Sequence, residues 1–279
     1  METFFSFLEK RADDCSSLLC VGLDPHLSDL PSPTAASALT FCLNLVHQTS
    51  RYAAAFKPNA AFFEYFGAEG WTALKHVIEA INEESDRMGS RIPIILDAKR
   101  GDISSTAEAY AQSAFEHLGA DGITLNPYLG KDSVEPFIKD SLKGVFLLCK
   151  TSNAGSMDLQ NLLVMPMGSD MPMPLYIYVA KLARQLNEKN NVGIVVGATH
   201  PQIMEMIRAA VPDLWFLAPG VGAQGGELEI TLKAGLREDG KGLLLPISRA
   251  ISRAENPGHA AAEIRDSMLE IRSAISRNK

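Results

Sequence analysis

The chain has 279 residues, 46% of them hydrophobic and 21% charged, and carries a formal net charge of -7 at pH 7. That length and apolar share predict one large globular domain over residues 1–279, and the acidic balance gives no electrostatic footprint for nucleic acid, so an anionic ligand has to be captured by local cations. No stretch approaches an uninterrupted membrane span, and Cys15, Cys20, Cys42 and Cys149 lie mostly in apolar runs without metal-type spacing, which predicts reduced thiols and a cytoplasmic setting.

The N-terminus, METFFSFLEKRADD, mixes acids into an amphipathic pattern and predicts a helix over Glu2 to Asp13 in place of a signal peptide. Eight short apolar runs then alternate with longer segments of helical character. The runs are Leu18 to Asp24, Ala54 to Asn59, Ile92 to Lys99, Gly122 to Tyr128, Gly144 to Lys150, Val192 to Ala198, Leu214 to Gly220 and Gly242 to Ser248. Parallel strands buried on both faces read as nearly continuous aliphatic stretches. Eight of them with eight intervening helices predict an α/β fold, a (β/α)8 TIM barrel with an additional N-terminal helix. Helix cues stand out in TAASALTFCLNLVHQT, TAEAYAQSAFEHLG and PLYIYVAKLARQLNEKN. Ser152 to Pro174, rich in Met, Pro and Gly, is too long for an ordinary connection. It reads equally as an active-site cover or as a disordered insertion.

Polar residues collect where these strands end: Asp24, Lys57, Asp97 with Lys99, Asn126, Lys150 with Thr151, Thr199, and Ser248 with Arg249. In a barrel those exits converge on one face. The third run, IPIILDAKRGD, is the most pointed, because Asp97 and Lys99 are two apart and project to the same side of an extended chain, with Asp102 in the following turn. Two acids around a lysine make either a salt-bridge cluster on the rim or a positioned proton donor, and the strand context favours the donor. Lys57 reads as a member of this group or as a snorkelling strand-end lysine, and Asp24 as a member or as a turn cap.

Gly220-Val-Gly-Ala-Gln-Gly225 matches Gly-x-Gly-x-x-Gly, formally a dinucleotide fingerprint. With one strand remaining after it, a phosphate loop is the better reading, and Arg249 beyond the last strand can grip the same phosphate or serve as a structural rim arginine. The histidines form no metal triad: His47, His76 and His117 fall in helical segments at no ligand spacing, and His26 and His200 follow strand ends without an assigned role.

Taken in order, VGLDPH, FKPNAAFFE, LDAKRGDISSTAEAYA, TLNPYLG, KTSNAG, APGVGAQGG and PISRAI make the chain resemble the orotidine 5'-phosphate decarboxylase family over essentially its full length. The resemblance implies decarboxylation of orotidine 5'-phosphate to uridine 5'-phosphate in pyrimidine biosynthesis, with no metal or organic cofactor, by a homodimer with shared active sites. It further implies that Lys99 protonates the C6 carbanion beside Asp97, and that Lys57 and Asp24 bind ribose hydroxyls. Asp102, with Ile103 and Thr106, would reach the neighbouring subunit's site. Gln224 and Arg249 would hold phosphate and Ser152 the pyrimidine edge, with Thr151 and Asn153 as adjacent candidates for that contact. Two other activities stay open. One is a Mg2+-dependent sugar-phosphate decarboxylase or aldolase with a similar Asp-x-Lys-x-x-Asp strand. The other is a dinucleotide oxidoreductase resting on the 220–225 glycines. A non-catalytic phosphate-binding protein is the third, weaker alternative.

Overall fold

The N-terminal helix, Phe4–Asp14, starts at a capping box in which Thr3 and Ser6 exchange side-chain and backbone bonds. It belongs to a computed structural model that describes residues 2–168, 170–221 and 225–277. The apolar face of this helix is buried across the end of the barrel where the strands begin. Phe5 stacks on Trp215 with ring centroids 5.9 Å apart, and Phe4 lies so close over Gly144 that a Cβ there would stand 2.0 Å from its ring. Arg11, itself buried, donates to the carbonyls of Ala53 and Ser50 at 3.0 and 2.6 Å, fastening the helix to the chain entering the second strand. The entry end is thereby closed by apolar packing.

Eight strands run parallel: Leu19–Leu23, Ala55–Pro58, Ile95–Arg100, Gly122–Leu125, Gly144–Lys150, Val192–Val196, Phe216–Leu217 and Leu243–Ile247. Counted in that order they are hydrogen-bonded as 2-1-8-7-6-5-4-3. The two ends of this series meet through the parallel bridges Phe56 to Ile94 and Asn59 to Asp97, which close the sheet into a (β/α)8 barrel. Each predicted run overlaps an observed strand, and seven of the eight contain theirs whole; the third strand runs one residue past its predicted end, to Arg100. The predicted ends overreach at Asp24 and Tyr128: Asp24 leaves the ladder to line the cleft, and Asn126 ends the fourth strand by capping a 3-10 turn through the amide of Tyr128.

Helices follow most strands, beginning with Ala35–Thr49, whose Thr34 cap accepts the amide of Ser37. The fourth connection departs from the expected alternation: only the 3-10 turns Pro127–Leu129, Lys131–Ser133 and Glu135–Ile138 occupy it. Pro127, Gly130 and Pro136 punctuate that stretch and prevent a continuous helix. Of the two readings for residues 152–174, structure prevails over disorder. The stretch holds a helix, Ser156–Gln160, and a two-stranded antiparallel ribbon pairing Leu163–Val164 with Met173–Pro174. The four cysteines are free and buried. Among the described residues no helix is long and apolar enough to cross a membrane.

Candidate active site

The third strand carries the site because it fails to remain a regular strand. Its register against the fourth shifts between Leu96 and Arg100, and Lys99 adopts φ 48°, a left-handed conformation that costs a non-glycine residue about 1–3 kcal/mol. Thr124, buried in the fourth strand, compensates for the broken ladder. Its hydroxyl oxygen accepts the amides of Ala98 and Lys99 at 3.1 and 3.0 Å, and its hydrogen is donated to Asp97 Oδ1 at 2.9 Å. Asp97 and Lys99 do meet, with Lys99 Nζ donating to Asp97 Oδ1 at 2.6 Å. The expected cause, alternation along an extended chain, gives way to a bulge braced by a threonine.

Lys57 Nζ donates to the other oxygen, Asp97 Oδ2, at 2.7 Å. Its second strand lies beside the third at the barrel closure, so the pairing follows from topology. Burial by itself would push the Lys57 ammonium down, but Asp97 and Asp24 outweigh it and hold its pKa above the ordinary lysine value. For Asp97, burial acts upward, and Lys57 and Lys99 together hold the carboxyl well below its usual range. Lys57 is only 6% exposed, so the snorkelling alternative does not describe it.

Asp24, Lys57, Asp97 and Arg249 line one cleft of about 810 Å³ at the strand exits, together with Phe62 and Gly220. That volume is within the range of small-molecule sites. Asp24 Oδ2 accepts the hydroxyl of Ser248 from the adjoining eighth strand. Arg249 is exposed, and among the described residues no carboxylate pairs with it, which leaves the guanidinium available to an anion. Ser152 lies against Gly197 and Gly220, bringing the start of the 152–174 segment to the sixth and seventh exits.

Other expected site residues stay apart. Asp102 turns its Oδ1 to the amide of Ile103 at 2.8 Å, and Ile103 and Thr106 are exposed beyond the third strand. Gln224, with Gly222 of the glycine loop, lies outside the described residues. The closed barrel contains no two-halved sheet of the kind a dinucleotide fingerprint serves, so that reading of the 220–225 glycines fails on fold. Sequence reasoning passed over Thr124; the only signal was one hydroxyl inside the apolar run GITL. It also gave no role to Ser248. Among the described residues no group of three or more His, Cys, Asp or Glu side chains is arranged to hold a metal ion.

A model of the orotidine 5'-phosphate decarboxylase / HUMPS family matches residues 17–264. An orotidine 5'-phosphate decarboxylase of Roseiflexus castenholzii is 47% identical over 277 residues, 98% of this chain and 97% of the relative. Among solved structures, an OMP decarboxylase of Leishmania donovani aligns with a TM-score of 0.85 at 49% identity, covering 98% of this chain and 99% of that one. The UMP synthase of the same organism aligns at 0.87 and 51%, over 98% of this chain and 57% of the longer one.

Proposed function

The chain belongs to the orotidine 5'-phosphate decarboxylase / HUMPS family, and we propose that this carboxy-lyase of pyrimidine biosynthesis converts orotidine 5'-phosphate to uridine 5'-phosphate without a cofactor, with Lys99 as proton donor. The observation that carries the reading is the Asp97 carboxylate held between two ammonium groups at the barrel mouth. In the reaction the C6–carboxylate bond breaks, CO2 departs, and the electron pair stays on C6. A proton on Lys99 Nζ then passes to that carbon. A cation beside C6 stabilises the developing carbanion more than the neutral ring of the ground state, which is the condition for catalysis.

Asp97 contributes by staying charged. Its three donors fix it in place, so a substrate carboxylate brought alongside is repelled until it leaves as CO2. The energy for that approach comes from groups remote from the reacting bond: Arg249 and Gln224 on phosphate, Asp24 and Lys57 on ribose, and Ser152 on the base. The exposed positions of Ile103 and Thr106, and the half-buried Asp102 beside them beyond the third strand, suit residues that serve a partner's pocket in a homodimer. Mixing inactive Lys99→Ala and Asp102→Ala subunits should then restore activity, about a quarter of wild type for random exchange, because each hybrid has one native pocket and one doubly altered. Confirmed hybrids that remain inactive place Asp102 in its own subunit's chemistry. One catalytic domain over residues 1–279 and a cytoplasmic setting belong to the same proposal.

The direct test is loss of orotidine 5'-phosphate absorbance by purified protein in EDTA, with uridine 5'-phosphate identified as product. Full activity in chelator is expected. Activity restored only by Mg2+ would favour the sugar-phosphate type of chemistry, and no turnover under either condition would overturn the assignment.

A further inference from the structure

Ser248 directly follows the eighth strand and holds the cap position of the short helix Arg249–Ser252, yet its side chain makes no cap bond. A serine in that position ordinarily offers its oxygen to a helix amide. This one turns across the seam between the eighth and first strands and donates its hydroxyl hydrogen to Asp24 Oδ2. The two strands are paired up to Val21 opposite Ile247, so the bond joins residues just beyond two adjacent strand ends. Gly22 makes the crossing possible. A Cβ at Gly22 would stand 1.9 Å from Ser248 Oγ and 3.1 Å from Asp24 Oδ2, which would drive the pair apart.

The consequence falls on the other carboxylate oxygen. Asp24 Oδ1 is buried and has no hydrogen-bond partner among the described residues, although Asp24 lines the cleft. An unpaired buried acceptor is costly and is rare without a purpose. With Oδ2 committed to Ser248, the carboxylate cannot rotate to satisfy Oδ1 elsewhere without losing that bond.

We propose that Ser248 is a positioning residue for the sugar: it fixes the Asp24 carboxylate so that Oδ1 accepts a hydroxyl hydrogen of the bound ribose. Arg249 follows it directly in the chain, so one strand end sets both the ribose contact and the phosphate contact. The inference rests on the nucleotide-binding reading given above.

Calorimetric binding of uridine 5'-phosphate and of its 2'-deoxy and 3'-deoxy analogues separates the two. Wild type should bind the ribonucleotide more tightly than at least one deoxy analogue. Ser248→Ala should weaken the ribonucleotide about tenfold and leave that analogue nearly unchanged, so the discrimination collapses. Gly22→Ala, which displaces the hydroxyl without removing it, should give the same pattern. In an Asp24→Ala background, Ser248→Ala should add nothing. Equal losses for all three ligands, additive losses with Asp24→Ala, retained discrimination in Ser248→Ala, or no discrimination in wild type would each overturn the positioning role while leaving nucleotide binding intact. A wild-type protein that fails to bind uridine 5'-phosphate would instead overturn the nucleotide-binding reading itself.

Discussion

Lys57 and Lys150 each lie at the exit end of a barrel strand with a buried side chain, 6% and 2% exposed, and they sit in opposite chemical company. Lys57 faces Asp97 and feels Asp24, and these carboxylates overcome burial to raise its pKa. Lys150 donates to Ser156 Oγ and Asn161 Oδ1, each at 2.9 Å, and burial, with no carboxylate partner among the described residues, pushes its pKa down. One half of the rim is thus a fixed array of charge around Asp97. The other is tied by ammonium hydrogen bonds to neutral acceptors of the 152–174 segment, whose Met157, Leu163, Met167 and Met171 are exposed. The carboxylate of the charged half is held by opposite charges, whereas the 152–174 segment is held by hydrogen bonds to one ammonium with no carboxylate partner among the described residues, and such bonds contribute less.

Breaking the charged half should have the largest effect on the molecule as a whole. Lys57→Met leaves Asp97 buried with half its pairing, and should cost about 3–5 kcal/mol of stability together with most of the activity. The pH dependence has a defined sign. The raised pKa of Lys57 contributes stability that is complete below its ordinary value of 10.5 and is lost as pH rises through the folded value. The lowered pKa of Asp97 contributes stability that is complete above 3.8 and is lost as pH falls through the folded value. Denaturation of both proteins across pH should therefore show a gap that is level from roughly pH 5 to pH 9 and narrows beyond those windows. A gap that changes steadily across the plateau would mean another group carries the difference.

Arg249→Ala should spare stability, since the side chain is exposed, and weaken phosphorylated ligands by about 10- to 100-fold with little change for the nucleoside. Equal losses for both ligands would move Arg249 away from phosphate. The smallest effect is expected on the neutral half. Lys150→Met removes the two bonds to Ser156 and Asn161, so limited proteolysis between residues 152 and 174 should quicken several-fold while the barrel stays intact. Cleavage no faster than in wild type would show that Lys150 does not tether this segment.

The barrel was legible because strands such as Gly144–Lys150, buried along most of their length, must be apolar almost residue by residue. The charged group was legible because Asp97 and Lys99 interrupt that rule at a strand end. Lys57 joined it only through the shared rim. What stayed hidden depends on pairing across strands. Thr124 matters because the fourth strand sets its hydroxyl beside a bulge in the third, and nothing local marks Lys99 for a left-handed backbone. Ser248 lies 224 residues from the carboxylate it holds. The 152–174 segment announced its length and composition, but its ribbon depends on Leu163 meeting Pro174 across a loop with no alternating pattern.

In the proposed mechanism Lys99 supplies the proton beside a carboxylate whose place is set by other residues. Its side chain is 51% exposed, and Asp97 keeps Lys57 and Thr124 without it, so Lys99→Ala should fold and still bind uridine 5'-phosphate. Measured on that folded, ligand-binding variant, the rate of orotidine 5'-phosphate decarboxylation should fall by about 10⁴-fold or more. Turnover within a few-fold of wild type would contradict the account.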